Sequence, residues 1–327
     1  MAYASITGWG KYLPERVMKN SELERMVDTS DEWIMARTGI RERHIVGDTE
    51  AASTMGVIAG KQALEVAGVS PKDLDLIILA TCSPDRIVPA SAAYVQHAIG
   101  ATKAGAFDAM AGCSGSLYAL VTAYQFIATG AYKNILVIGS ESLTRAIDWT
   151  DRSTCVLFGD GAGAVVVQAN DKSTDMLSFV LKNDGGGADL LYAPGPCGKR
   201  IDPTSNGHYY LRMDGQEVFR FAVNTLADTA KQVVAAAGFE ISDIDLFIPH
   251  QANQRITQAA MKTLHLSSDK VFMNLDRYGN LAAASEMVAL CEAVEQGRLK
   301  KGDLVVLVAF GSGLSWGATV LRWQTKS

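Results

Sequence analysis

The chain has little cysteine, little proline and no excess of positive charge. Its five cysteines, Cys82, Cys113, Cys155, Cys197 and Cys291, are scattered over 327 residues. None forms a CxxC pair or stands near histidines at zinc spacing, which argues against a disulfide framework and against a metal site. Lys and Arg number 30 against 35 Asp and Glu, a formal net charge of -5. No global basic field therefore exists to hold nucleic acid. No uncharged apolar run approaches the ~18 residues of a membrane span. The opening MAYASITGWGKYLPERV lacks the charged-then-apolar layout of a secretory leader, so the expectation is a cytoplasmic protein with no membrane partner.

What the chain does have is core material and a repeat. Hydrophobic residues make up 48% and charged residues 20%, a globular balance sufficient for two domains or one large one. AGVSPKDLDLIILATCS from Ala67 and AGFEISDIDLFIPHQAN from Ala237 share Ala, Gly, Asp, Asp, Leu and Ile in register, at an offset of 170 (237 − 67). The same offset lays AMAGCSGSLYAL, ending at Leu120, over NLAAASEMVAL, ending at Leu290, and the apolar run Ile135–Ile138 over Val305–Val308. Register then drifts, because GAGAVVV near Gly161 answers GATVL near Gly317. The first half carries extra residues. Each half offers a helical stretch (51–67; 218–237), a buried strand (76–80; 246–248) and a small-residue turn into a second helix. Short Ile/Val-rich runs alternating with helical periods indicate α/β architecture. The expected fold is two pseudo-duplicated βα halves, residues 1–172 and 173–327, with a site between them.

Four segments carry side chains suited to chemistry. In AMAGCSGSLYAL, Cys113 follows small residues and precedes a helical period, which places it at a strand-to-helix turn. A helix N-terminus stabilises an anion and offers free N–H groups to a developing oxyanion. In PHQANQRI, His250 follows the strand 245–248 at the end where ligands bind. In DRYGNLAAAS, Gly279 permits an unusual backbone angle before Asn280. FGSGLSWGA is a hairpin turn or a loop whose N–H groups approach a ligand. Taken singly, Cys113 also reads as a small core residue, His250 as a satisfied structural histidine and Asn280 as a helix cap.

Together with GWGKYLPERVMKN, DEWIMARTGIRERHI and TDRSTCVLFGDGAGAVV, these segments resemble, in order and over essentially the whole chain, the β-ketoacyl-acyl-carrier-protein synthase III group of condensing enzymes. The resemblance implies a thiolase-like fold with layers α/β/α/β/α, an acyltransferase, and a Cys-His-Asn triad at Cys113, His250 and Asn280. It further implies an oxyanion site from the backbone N–H groups of Cys113 and Ser312. Trp33, Arg37 and Arg152 would clamp the adenine and phosphates of coenzyme A, with Phe219, Ala222 and Asn253 along the pantetheine tunnel. Arg255 and Lys262, seven apart on one helix face, would dock an acidic carrier protein, although charges so spaced also occur on plain solvated faces. Val88 would project across a homodimer interface into the partner's acyl pocket, at a position where some members of the family place a large aromatic. The substrates implied are acyl-CoA and malonyl-acyl-carrier protein, with no cofactor beyond coenzyme A thioesters.

The chain departs from the family pattern in two places. The common Thr-Ser after the Asn is Leu281-Ala282, and the frequent Ile-Pro of the next turn is Glu286-Met287. The expectation is that polar contacts near Asn280 are lost, which bears on donor choice. A thiolase would need a second cysteine in the C-terminal glycine loop, and an elongating synthase a second His in place of Asn280. A papain-like hydrolase would need neighbours that Cys113 lacks. An acyl-binding protein without activity would have an inert Cys113. The runner-up is a specialised synthase III-like acyltransferase of secondary metabolism with an unusual acyl donor or acceptor.

Overall fold

The computed structural model describes residues 2–195 and 209–325, so Cys197 lies outside the described residues. A five-stranded sheet is built from β1 (Tyr3–Tyr12), β2 (Leu76–Ala80), β3 (Gly105–Ala109), β4 (Asn134–Glu141) and β5 (Gly161–Asn170), in the order β1-β5-β4-β2-β3. A four-stranded sheet holds β6 (Met176–Asn183), β7 (Leu246–Pro249), β8 (Leu304–Gly311) and β9 (Ser315–Arg322), in the order β7-β8-β9-β6. The two sheets follow one plan. Leu76 pairs with Ile135 in parallel, and Leu246 pairs in the same way with Val305, each residue shifted by the 170 read from the sequence. The later drift also has a structural cause. Residues 142–160 join β4 to β5, whereas only residues 312–314 join β8 to β9. A single parallel bridge, Phe247 to Val271, stands in the second sheet where β3 stands in the first.

Helices fill the layers between and outside the sheets. α1 (Asp31–Thr38) lies on the surface, and α2 (Ala52–Ala67) and α3 (Ser91–Ile99) pack on the outer face of the first sheet through Met55, Ala59, Ala63 and Val95. α4 (Gly115–Ala128) and α7 (Ser285–Glu295) occupy the layer between the sheets. Leu117, Leu120, Met287 and Leu290 there meet Ile78 and Val137 from one sheet and Ile248 and Leu307 from the other. α5 (Gly215–Ala236) and α6 (Gln254–Leu264) cover the outer face of the second sheet. The sequences of the central helices fit their place: a helix apolar on nearly all sides has to be buried on all sides. α5 is instead amphipathic, burying Ala222, Leu226, Ala230 and Val233 at helical spacing.

The helices begin near where the sequence puts them, within the few residues that capping decides. Asn253 is the N-cap of α6, where its side chain accepts the N–H of Arg255 at 2.9 Å and so satisfies one of the helix's orphan donors. Asp214 does the same for α5 through Gln216 and Glu217. No helix among the described residues is long and apolar enough to cross a membrane. No cluster of His, Cys, Asp and Glu able to hold a metal ion occurs among them either.

Candidate active site

β3 delivers the chain to Ala109, and residues 110–114 turn it into α4 with Ser114 as the N-cap position. Cys113 sits in that turn, 8% exposed. The Ser114 and Ser315 hydroxyl oxygens lie 2.8 Å apart, which ties the turn to the hairpin between β8 and β9. Two glycines allow the approach. Gly112 has φ of +57°, and a Cβ on it would lie 2.7 Å from the Ser312 nitrogen. A Cβ on Gly311 would lie 2.3 Å from the Cys113 nitrogen. Any side chain at either position would push the hairpin away, so the glycines hold the Ser312 and Cys113 main chains side by side.

His250 comes immediately after β7, and its backbone N–H donates to Val308 O at 2.7 Å, so the strand ladder fixes its position. Its ring stands edge-on to Phe310 with centroids 5.2 Å apart. Nδ1 lies 3.0 Å from Glu286 Oε1, and the other Glu286 oxygen accepts the Ser116 hydroxyl at 3.1 Å. Nε2 is buried and has no hydrogen-bond partner among the described residues. Burial by itself would lower the His250 pKa; Cys113 and Glu286 outweigh it and raise it to about 10. Asn280 follows Gly279 (φ +69°) and is held by its main chain between Leu157 and Gly159. Its Oδ1 accepts the Ala282 N–H at 2.8 Å. The side chain therefore does cap the following turn, and its Nδ2 donor end is left for the cavity it lines.

Three cavities run in line through these residues. An open cleft of about 500 Å3 is lined by Trp33, Arg37, Arg152, Phe219, Asn253 and Arg255. Its inner wall, including Leu157, Met213, Phe219 and Asn253, is shared with a narrower cavity of about 80 Å3 that reaches Cys113, His250 and Asn280. Beyond Cys113 lies an apolar cavity of about 60 Å3 walled by Cys82, Leu143, Phe158, Leu191, Leu211 and Ala282. Ser312 also lines it. At the cleft mouth the Trp33 ring has the Arg152 guanidinium 5.0 Å and the Arg37 guanidinium 5.7 Å from its centroid. Arg152 is held there by donating to Asp28 O at 2.6 Å.

The structure corrects the sequence expectations at Ala222 and at Glu286 and adds a detail at Asn253. Ala222 is fully buried among the core residues of α5 rather than on a tunnel wall, because it lies on the apolar stripe that α5 turns to its sheet. Asn253 lines the cavities, but both ends of its amide are used within the protein, one by Arg255 N–H and the other on Arg37 O at 2.9 Å. Polar contacts around the triad are also not simply lost. Leu281 and Ala282 are buried and apolar, yet Glu286, the second residue of the next helix, carries a buried carboxylate to the histidine. Arg255 and Lys262 are both exposed on α6, and Arg255 lies over the Phe219 ring at 5.4 Å. Val88 is 78% exposed and lines none of the three cavities of its own chain.

One further buried carboxylate was not foreseen. Glu141, at the end of β4, accepts Cys82 N–H at 3.0 Å and the Ser83 hydroxyl at 2.6 Å, and so fixes the turn that walls the cavity beyond Cys113. Burial raises its pKa to about 7 against the pull of those hydrogen bonds. A lone Glu at the end of an apolar strand gave no signal by itself; only the fold shows that the turn after β2 needs its oxygens.

Comparison with known proteins identifies the family and the fold. Residues 107–185 match the family described as 3-oxoacyl-[acyl-carrier-protein (ACP)] synthase III, and residues 234–323 match its C-terminal counterpart. The chain is 52% identical over 322 residues, 97% of each protein, to the β-ketoacyl-[acyl-carrier-protein] synthase III of Symbiobacterium thermophilum. It is 49% identical over 325 residues, 98% of each, to that of Roseiflexus sp. strain RS-1. The crystal structure of 3-oxoacyl-[acyl-carrier-protein] synthase III from Aquifex aeolicus VF5 superposes with a TM-score of 0.92 at 46% identity, covering 98% of this chain and 100% of that one. The fold is thiolase-like, and the chain belongs to the β-ketoacyl-acyl-carrier-protein synthase III family of condensing enzymes.

Proposed function

We propose that the chain is an acyltransferase that joins an acyl-CoA primer to malonyl-acyl-carrier protein with loss of carbon dioxide, giving the 3-oxoacyl-carrier protein that starts fatty acid synthesis. The observation that carries this reading is the line of cavities, which leads from an arginine-flanked tryptophan to a cysteine, histidine and asparagine and on into an apolar cavity. In the first half-reaction the Cys113 thiolate attacks the acyl-CoA carbonyl, and the Cys113 and Ser312 N–H groups hold the tetrahedral oxyanion. Coenzyme A leaves as its thiolate, and the acyl chain stays in the cavity beyond Cys113. In the second, malonyl thioester enters by the emptied tunnel. Its carboxylate departs as carbon dioxide, and His250 Nε2–H and Asn280 Nδ2 donate to the enolate oxygen that forms. The enolate carbon attacks the acyl-cysteine, and the Cys113 thiolate is released for the next cycle. No step calls for a metal or a cofactor beyond the thioesters themselves. Incubation with acetyl-CoA and malonyl-carrier protein tests the reading: 3-oxoacyl product and carbon dioxide in equal amounts support it, and carbon dioxide without condensed product contradicts it.

The cleft fits the outer end of coenzyme A. A purine stacked on Trp33 between two guanidinium groups gains from both π and cation contacts, and the same arginines face its phosphates. Base stacking on an aromatic is worth ~1–3 kcal/mol. Trp33→Ala should therefore raise KM for acyl-CoA by about 10-fold or more with kcat little changed, read by steady-state kinetics. An unaltered KM would remove Trp33 from the binding site. Arg255 and Lys262 are proposed to receive the carrier protein, since both are exposed on α6 and Arg255 lines the cleft.

A homodimer, in the cytoplasm, completes the proposed assembly. β3 is an edge strand, and Phe107, Met110, Ile87 and Val88 stand exposed on or near it at 38%, 69%, 65% and 78%. An unpaired edge next to exposed apolar side chains is a surface that pairing with a second copy would cover. Val88 would then reach the partner's acyl cavity. Valine is smaller than an aromatic, and each methylene newly accepted is worth about 0.8 kcal/mol. Acyl groups longer or more branched than acetyl are expected to react, neighbours differing by roughly 10 to 200-fold at most. In a kcat/KM series over acyl-CoA length, Val88→Phe should shift the preference toward acetyl; a series unchanged by that substitution would contradict the placement.

A further inference from the structure

Among the described residues of the site, Glu286 is an ionisable side chain that the reaction above does not use. It is fully buried at the start of α7, with Oε1 3.0 Å from His250 Nδ1 and Oε2 accepting the Ser116 hydroxyl. Both oxygens are thus aimed and held, and the histidine facing them is 1% exposed. An ionised carboxylate can only accept, so Nδ1 must carry a proton toward it. This has a consequence for the opposite nitrogen. In a neutral ring whose proton sits on Nδ1, Nε2 is a bare acceptor, able to take a proton but unable to donate to an enolate. The condensation step needs a donor there.

We propose that Glu286 is a positioning residue that keeps His250 doubly protonated during condensation, so that the ring acts on the enolate as an imidazolium. The inference rests on the condensing function proposed above. The second proton comes from the thiol: Cys113 Sγ–H gives its proton to His250 Nε2, leaving thiolate and imidazolium. The thiolate is consumed in forming the acyl-enzyme, with coenzyme A leaving as a thiolate, and the proton stays on Nε2. A buried cation without a counter-charge would be strongly disfavoured, and Glu286 supplies that charge from the side away from the substrate. When the enolate carbon displaces Cys113, thiolate and imidazolium face each other again. The ring is then ready for another acyl group.

Few other groups compete for this control. Cys113, from the turn before α4, and Glu286, from α7, are the titratable groups that act on the ring. β8 contributes the uncharged Phe310. Cys82, backed by Glu141, shares the far cavity with Cys113. Ser116 stands where it can hold the second carboxylate oxygen but carries no charge.

Glu286→Gln tests the proposal, because the amide keeps the size of the side chain and an oxygen for Nδ1–H while removing the charge. Loss of a paired opposite charge lowers the pKa of a histidine by about 1–3 units. The alkaline limb of the condensation profile should move down by that amount, from near pH 10 to between about pH 7 and 9, so that the rate at pH 8.5 falls by up to about 30-fold while the rate at pH 6 changes little. Coincident pH profiles for the wild type and the Glu286→Gln variant would overturn the proposal. The wild-type protein gives a second measurement that does not depend on a variant. With 15N-labelled histidine and the His250 signals assigned by difference from His250→Ala, both ring nitrogens should carry protons at pH 7, and a bare nitrogen on either side would overturn the imidazolium. Product formation by the wild type is followed in the same assays: its absence would count against the condensing function, whereas normal product with an unshifted Glu286→Gln profile would count against the role of Glu286 alone.

Discussion

Cys113→Ala is expected to form no acyl-enzyme from any acyl-CoA. The line of cavities passes one nucleophile at the junction of the tunnel and the apolar pocket, and without its sulfur the acyl group has no atom to bond to. The measurement is intact-protein mass after mixing with acyl-CoA, which should show no added acyl mass in the variant. Overall condensation should fall to background with it. His250 and Asn280 remain in place in this variant, so slow decarboxylation of malonyl thioester without condensation is the expected residue of activity. A variant that still gains one acyl group at the wild-type rate would show that the nucleophile lies elsewhere, and Cys82, on the wall of the same cavity, would be the first alternative to examine.

The second large effect separates the two halves of the reaction. Asn280 spends its amide oxygen on Ala282 N–H and can offer the substrate only its N–H groups. It can neither take nor give a proton, so its contribution is confined to charge that appears during decarboxylation. Asn280→Ala should lower the condensation rate by roughly 10²–10³-fold, the cost of one preorganised oxyanion donor, while acylation of Cys113 proceeds at nearly its normal rate. Single-turnover labelling with acyl-CoA reads the first step alone, and product formation from the preformed acyl-enzyme reads the second. A variant that remains folded yet fails to acylate would mean that Asn280 acts on the first half-reaction, and the division of roles would have to be redrawn. Gly279 makes a useful control for placement. Its φ of +69° and the 2.9 Å from a hypothetical Cβ to Leu157 O mean that Gly279→Ala should displace Asn280 and produce a milder form of the same defect.

Much of this architecture could be read from the chain because it is written twice. The pairing of Leu76 with Ile135 and of Leu246 with Val305 follows the offset that the residues themselves display. A repeat of that kind constrains topology more firmly than any local propensity. Cys113, His250 and Asn280 stood out by their places at strand ends or glycine-rich turns, yet each taken singly also read as an ordinary structural residue, and only the resemblance to the condensing enzymes joined the three. What the sequence did not convey was pairing across large separations. Glu286 reads locally as an odd residue where an apolar one is common, and its partner is 36 positions away on another element. Glu141 lies 58 positions from Ser83 and serves the same invisible purpose of holding a turn. Ala222 was misplaced by the opposite route. Nothing in an alanine distinguishes the tunnel side of a helix from its core side, and the amphipathic stripe of α5, with Leu226, Ala230 and Val233 in phase, decides for the core.

The central claim is a covalent relay through Cys113, and trapping that intermediate tests it most directly. The wild-type protein is mixed with acyl-CoA, digested and weighed, and malonyl-carrier protein is then added to a second portion. The account predicts one acyl group on the peptide that contains Cys113, discharged on addition of malonyl-carrier protein with release of carbon dioxide and formation of the 3-oxoacyl product. An acyl group found on another residue, or one on Cys113 that water removes while malonyl-carrier protein does not, would contradict it.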